Sequence, residues 1–158
     1  MLSIDRINEL KERIAGLPHP DEAIVDVMHE VQAASGWLSD EGIELVADIV
    51  GVPPMKVEQL ATFYNLIYRR PVGRKVILVC DSVSCWATGA EDVFAHLRAR
   101  LGVELGGTTG DGAFTLLPIV CLGACHVAPA MMVGDTLYGE LTPERVDEIL
   151  DEERRASS

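Results

Sequence analysis

The chain has 158 residues, 48% of them apolar, with 13 basic against 25 acidic side chains and a formal charge of −12. That is enough for one ordinary domain, or a small domain with an extension, around a real core. So acidic a surface repels phosphate backbones and anionic lipid headgroups, which argues against nucleic-acid or membrane-surface binding and agrees with simple solubility.

The opening segment, MLSIDRINELKERIAG, lacks the basic-then-apolar order of an export signal. It reads as a first helix, with Ile4, Ile7, Leu10, Ile14 and Leu17 as its apolar stripe before the break LPHP. Ala23, Ile24, Val27, Met28 and Val31 make a second stripe that Gly36 stops. Ser39 can cap a third helix carrying Ile43, Val46, Ala47 and Val50, with Gly51 at its end. Pro54 sits near the first position of a fourth, whose apolar side is Val57, Leu60 and Ala61. Four short helices without a strand make a small bundle reaching about Tyr68.

The pattern changes at RRPVGRKVILVC. Val76 to Val79 form a β-branched run short enough for a buried strand, and a helix from about Gly89 to Leu101 follows, with Val93, Phe94, Leu97 and Leu101 inward. The turn-rich GGTTGDGAF leads into a second strand, FTLLPIV. Ala130 to Val133 and Thr136 to Leu141 suggest a hairpin about Gly134-Asp135. Thr142 caps a last helix with Val146, Ile149 and Leu150 inward, after which DEERRASS reads as frayed. The uncharged stretch from Thr115 to Val133 contains two prolines and a glycine, so it reads as two strands and a loop rather than a membrane span. The order β-α-β-β-α matches the thioredoxin-like architecture. The expected chain is therefore α/β (α+β), with a helical bundle over 1–72 and a thioredoxin-like domain over 73–158.

Cys80 and Cys85 are spaced C-x4-C, and after thirty-five intervening residues Cys121 and Cys125 are spaced C-x3-C. These are the four cysteines of the chain. Without an export signal the expected compartment is reducing, which disfavours disulfides. A thioredoxin-type dithiol needs C-x2-C, which neither pair has. A four-thiolate zinc site and an iron–sulfur cluster both fit the spacing and remain open on it. Both pairs follow predicted strands, so two loops should meet at one end of a sheet. Gly123 can adopt positive φ and turn amides toward a sulfur, and Ser82 and Ser84 are candidate donors to an anionic cluster. His126 stands beside a candidate ligand but is read as a loop residue, since four thiols already fill the site. His19, His29 and His96 form no pair, and Trp37, Phe63 and Tyr64 are read as core aromatics, with partner contact as the alternative for Phe63 and Tyr64 just before the domain junction.

ATFYNLIYRRPVGRKVILVCDSVSC, DGAFTLLPIVCLGAC and PAMMVGDTLYGELTPE, together with the helical VQAASGWLSD segment, resemble the small 2Fe-2S subunit family of NADH:quinone oxidoreductase, respiratory complex I. The resemblance implies a thioredoxin-like 2Fe-2S ferredoxin domain in which Cys80, Cys85, Cys121 and Cys125 all ligate one 2Fe-2S cluster. It implies an electron-transfer subunit of an oxidoreductase, with FMN and NAD carried by a larger flavoprotein partner and with contacts to other subunits of the peripheral arm. It also implies a cytoplasmic place, or one on the cytoplasmic face of the inner membrane through the complex. The equivalent subunits of NAD-dependent formate dehydrogenases and NAD-reducing hydrogenases reuse the same module, and a zinc-stabilised binding module is the reading from another class. Pro129 falls where thioredoxin-like folds often carry a cis-proline.

The chain itself has no G-x-G-x-x-G and no basic cluster for a flavin phosphate. GGTTGDG has the glycines without the spacing. No catalytic residue is expected on this chain, and alone it should not oxidise NADH. An acidic host opposes adding an electron to an anionic cluster, so a low potential is expected, with distant surface charges screened.

Overall fold

The structure is a computed structural model describing residues 2–156. The chain forms two compact units divided after Pro71.

The first unit is helical: α1 (Ile4–Ala15), a 3-10 turn (Pro20–Ala23), α2 (Ile24–Ser35), α3 (Asp40–Val50) and α4 (Pro54–Phe63). Local chemistry satisfies the free amides where several of these helices start. The Ser3 hydroxyl accepts from the Arg6 amide, the Ser39 hydroxyl accepts from Gly42, and Pro54 takes the first position of α4. Leu10, Ile14, Ile24, Val27, Met28, Val31, Val46 and Val57 form the core. The Gln32 side chain closes the unit. Its Nε2 donates to the Leu66 carbonyl at 2.8 Å and its Oε1 accepts from the Tyr68 amide at 2.6 Å. Four sequence expectations fail on burial. Ile4 lies in the first turn and is 75% exposed, and Leu17 stands beyond the helix end at 41%. Phe63 and Tyr64, read as core, are exposed at the end of α4, stacked edge to face on each other at 5.4 Å. They close the last turn rather than a face that another helix covers.

The second unit is built on a four-stranded sheet of order β2-β1-β3-β4, with β1 (Lys75–Cys80), β2 (Phe114–Ile119), β3 (Met131–Val133) and β4 (Thr136–Tyr138). This is one strand more than the β-α-β-β-α shorthand, because the hairpin about Gly134-Asp135 supplies two. β1 pairs parallel with β2, and β3 pairs antiparallel with both β1 and β4. Two short elements were not expected: α5 (Val83–Ala87) and a 3-10 turn (Cys125–Val127). Each is under two turns long, too short for periodicity to show. Helices α6 (Ala90–Leu101) and α7 (Pro143–Ala156) cover one face of the sheet, where Val93, Leu97, Val146 and Ile149 pack on Ile77, Val79, Phe114, Leu116 and Met131. The Ala128–Pro129 bond is cis.

The tail expected to fray is helical to Ala156; Ser157 and Ser158 lie outside the described residues. Tertiary contacts account for the extra turns. Glu153, 11% exposed, pairs with Lys75 at the start of β1 and accepts from the Tyr138 hydroxyl at 2.6 Å. Arg154 lies over the Phe114 ring at 5.6 Å. Lys75 first and Tyr138 second hold the Glu153 carboxyl below the usual carboxylate range. The same contact, with burial, pushes the Tyr138 phenol up to about 12. A lowered acid stabilises above its unfolded value near 4.5 and loses that contribution as pH falls. A raised phenol stabilises fully below about pH 10 and loses its contribution as pH rises toward 12. Glu153→Ala removes an ionic hydrogen-bond partner from both neighbours and is expected to cost about 2 kcal/mol. Urea unfolding at pH 7 checks this, and the difference from wild type should shrink below pH 4.

Candidate metal centre

Parallel pairing of β1 with β2 is what assembles the site. In the register Cys80 stands opposite Ile119, and the ladder continues one step as the Asp81 amide donates to the Ile119 carbonyl at 2.8 Å. Both strands therefore end at the same edge of the sheet, and the loops carrying the two cysteine pairs leave side by side. β3 enters at this edge too, with the Cys80 amide donating to the Ala130 carbonyl at 3.1 Å. Cys80 closes β1, Cys85 rides on α5, Cys121 lies just past β2, and Cys125 opens the 3-10 turn.

The four thiols differ in setting. Cys80 and Cys85 are 2% and 1% exposed, packed with Ala90, Ala124 and Ala130 and flanked by Phe94, Leu122 and Val127. Cys121 and Cys125 are free thiols at the surface. Burial opposes ionisation of Cys80, but the Ser82 hydroxyl, the Leu122 amide and the Cys85 thiol outweigh it and hold this thiol below the usual range. The Ser82 oxygen lies 3.5 Å from the sulfur. Cys85 goes the other way: burial pushes it up and the Cys80 sulfur adds to this, with the Ala130 amide and Ser82 only partly opposing. At the surface pair, Gly123 adopts φ 72° and its amide points at the Cys121 sulfur at 3.3 Å. Four backbone amides, of Ser82, Leu122, Gly123 and Ala130, are therefore aimed at three sulfurs, the arrangement that stabilises an anionic thiolate cluster.

Of the sequence candidates, Ser82 reaches the sulfurs, while Ser84 contributes its carbonyl to the Thr88 hydroxyl at 3.0 Å. His126 is exposed within the 3-10 turn. The Leu122 and Ala130 amides escape a reading of the sequence, because backbone donors have no residue type. Among the described residues no three His, Cys, Asp or Glu side chains gather into one metal-holding group. A two-iron unit needs two thiolates per iron, and the two thiol pairs lie on loops that leave the same sheet edge.

Comparison with known proteins agrees with this chemistry. The thioredoxin-like 2Fe-2S ferredoxin family matches residues 10–154. The E subunit of NADH-quinone oxidoreductase from Pseudomonas aeruginosa is 43% identical over 132 residues, 84% of this chain and 80% of that protein. Its namesake from Escherichia coli K12 is 44% identical over the same shares. The second E-type chain of Rhizobium meliloti is 42% identical over 94% of this chain and 88% of its own. An NAD+-reducing NiFe-hydrogenase chain shares the fold at a TM-score of 0.69 and 21% identity, over 82% of this chain and 23% of that one. No helix among the described residues is long and apolar enough to cross a membrane. A family match across nearly the whole chain overturns the zinc alternative, and the chain belongs to the thioredoxin-like 2Fe-2S ferredoxin family, with a 2Fe-2S cluster as its cofactor.

Proposed function

We propose that this chain is the electron-transfer subunit of an NADH:quinone oxidoreductase, holding one 2Fe-2S cluster through Cys80, Cys85, Cys121 and Cys125. The observation that carries the ligand assignment is the parallel β1–β2 pairing, which delivers both thiol pairs to one sheet edge with amides aimed at the sulfurs. When bound, such a cluster accepts and returns one electron at a time. This chain's residues then do three things. The amides of Leu122, Gly123 and Ala130 and the Ser82 hydroxyl offset the negative charge. The alanine-lined pocket keeps water from Cys80 and Cys85. The exposed pair, Cys121 and Cys125, marks the edge a redox partner can approach.

The domain over 73–158 carries the cluster in this reading, and the helical domain over 1–72 is free to hold a neighbouring subunit. The reductant is a larger FMN- and NADH-binding flavoprotein, since this sequence has no cradle for either nucleotide. The complex places the chain at the cytoplasmic face of the inner membrane, among the peripheral-arm subunits. Relatives from NADH-quinone oxidoreductases at 42–45% identity favour this complex over a formate dehydrogenase or hydrogenase; to the hydrogenase the likeness is one of fold.

The cluster-loaded chain mixed anaerobically with NADH should keep its visible absorbance, and adding the flavoprotein should bleach it. Bleaching without the flavoprotein would reveal a hydride-accepting site on this chain and overturn the reading.

A further inference from the structure

A cavity of about 290 Å³ opens beside the thiol pocket, lined by Asp81, Trp86, Ala90, Glu91, Phe94, Arg98 and Leu105. Its walls are tied to the proposed ligands. Asp81 follows Cys80 and Trp86 follows Cys85 in the chain, while Ala90 and Phe94 pack in the same layer as the two buried thiols. Trp86 is 65% exposed, an unusual solvent cost for an indole. The lining holds two carboxylates, Asp81 and Glu91, against one base, and that base is engaged: Arg98 Nη1 lies 3.2 Å from Glu104. An aromatic face beside carboxylates is the chemistry that receives a cation, best a guanidinium, which can stack on an indole while its N–H groups meet carboxylate oxygens. Val83 and Val120, 78% and 77% exposed, belong to the same two ligand loops and add apolar surface there.

We infer that this cavity is the docking socket for an arginine side chain of the redox partner, seated over Trp86 between Asp81 and Glu91. The inference rests on the proposed function, which makes the partner a flavoprotein that must approach this edge. The net charge of −12 attracts a basic surface at long range, and the socket adds what diffuse charge lacks, a single stacked position. A guanidinium there stands one residue layer from the Cys80 and Cys85 sulfurs. It favours the more anionic reduced cluster, so docking raises the midpoint potential.

The test uses the full, cluster-loaded chain and the purified NADH-oxidising flavoprotein from the same complex. The Asp81→Asn/Glu91→Gln pair and Trp86→Ala are compared with wild type and with a control pair of equal charge change, Asp135→Asn/Glu152→Gln. Binding is followed by titration at several salt concentrations, and the cluster by EPR and redox titration. The expected result is an association weakened about ten- to a hundred-fold in both socket variants. The upward potential shift on docking should shrink, the control should stay near wild type, and the EPR spectra of the free chains should match. Should Trp86→Ala fail to fold, the Asp81/Glu91 pair alone decides. A complex that the socket variants form as tightly as wild type overturns the inference and leaves the proposed function standing. Equal weakening by the control pair overturns it too, since diffuse charge then suffices. No complex with the wild-type chain, and no reduction by NADH in its presence, overturns both.

Discussion

Replacing Cys85 with alanine is expected to abolish assembly of a normal cluster. The wild-type chain should hold two irons and two acid-labile sulfides, and the variant should purify nearly colourless with iron falling toward zero. Cys85 is the most enclosed of the four thiols, 1% exposed and beside the Cys80 sulfur, so solvent has little access to take its place. Metal binding is coupled to folding, because a site that needs thiolates from two separate loops exists only when those loops are held together. Protection of α5 and of the Cys121–Cys125 loop against amide exchange should drop with it. Cys121→Ala, at the surface, should also lose the normal cluster, although an exposed site leaves room for a solvent-derived substitute ligand. Metal and sulfide analysis with reduced-state EPR checks both. An unaltered EPR signal in Cys85→Ala would remove that residue from the ligand set.

Gly139→Ala is the second variant expected to have a large effect, although residue 139 touches no sulfur. The chain leaving β4 runs alongside the segment after Cys125, with the Glu140 amide donating to the Val127 carbonyl at 2.7 Å and the Leu141 amide to the Pro129 carbonyl at 3.1 Å. A Cβ at position 139 would stand 2.5 Å from Val127 Cβ and Cγ2 and 2.7 Å from its carbonyl oxygen. Two of those atoms belong to the backbone or its first side-chain carbon, so no rotamer change relieves the clash. Overpacking of this kind costs about 2 kcal/mol, or roughly 10 °C in the melting temperature of a domain this size. Because the segment that must give way carries Cys125, the distortion should appear in the cluster as well. The expected result is lower iron content, or shifted EPR g-values, together with the lower melting temperature. Gly134→Ala, in the hairpin turn with φ 57° and no atom within 4 Å of a built Cβ, strains the backbone without touching that segment. It should destabilise by about 1 kcal/mol and leave the spectrum unchanged.

Much of the helical unit is legible in the one-dimensional pattern, because helices are capped and striped by residues a few positions apart. Ser39, Pro54 and Thr142 begin helices as their residue types imply, and Gly36 and Gly51 end them. The spacing of the cysteines likewise excludes a thioredoxin-type dithiol before any coordinates, and it suits zinc and an iron–sulfur cluster alike. Periodicity, however, says only which side of a helix is apolar, and burial depends on what lies opposite. Ile4, Leu17, Phe63 and Tyr64 continue apolar patterns yet meet solvent, since they fall at helix ends where no neighbour covers them. The end of α7 shows the converse. DEERRA is polar enough to fray alone, and it is held because Glu153 meets Lys75, 78 residues away, and Arg154 meets Phe114.

The sequence by itself determined that four thiols stand in two pairs and that each pair follows a strand, but it missed α5 and the 3-10 turn that carry Cys85 and Cys125. The tertiary structure decided which loops meet, because parallel pairing of β1 with β2 is a contact between residues some forty positions apart that no local signal encodes. It also decided that Cys80 and Cys85 are enclosed while Cys121 and Cys125 face outward, and that Gly139 must be glycine. Burial and close approach are properties of two segments at once, and a pattern read along one segment cannot contain them.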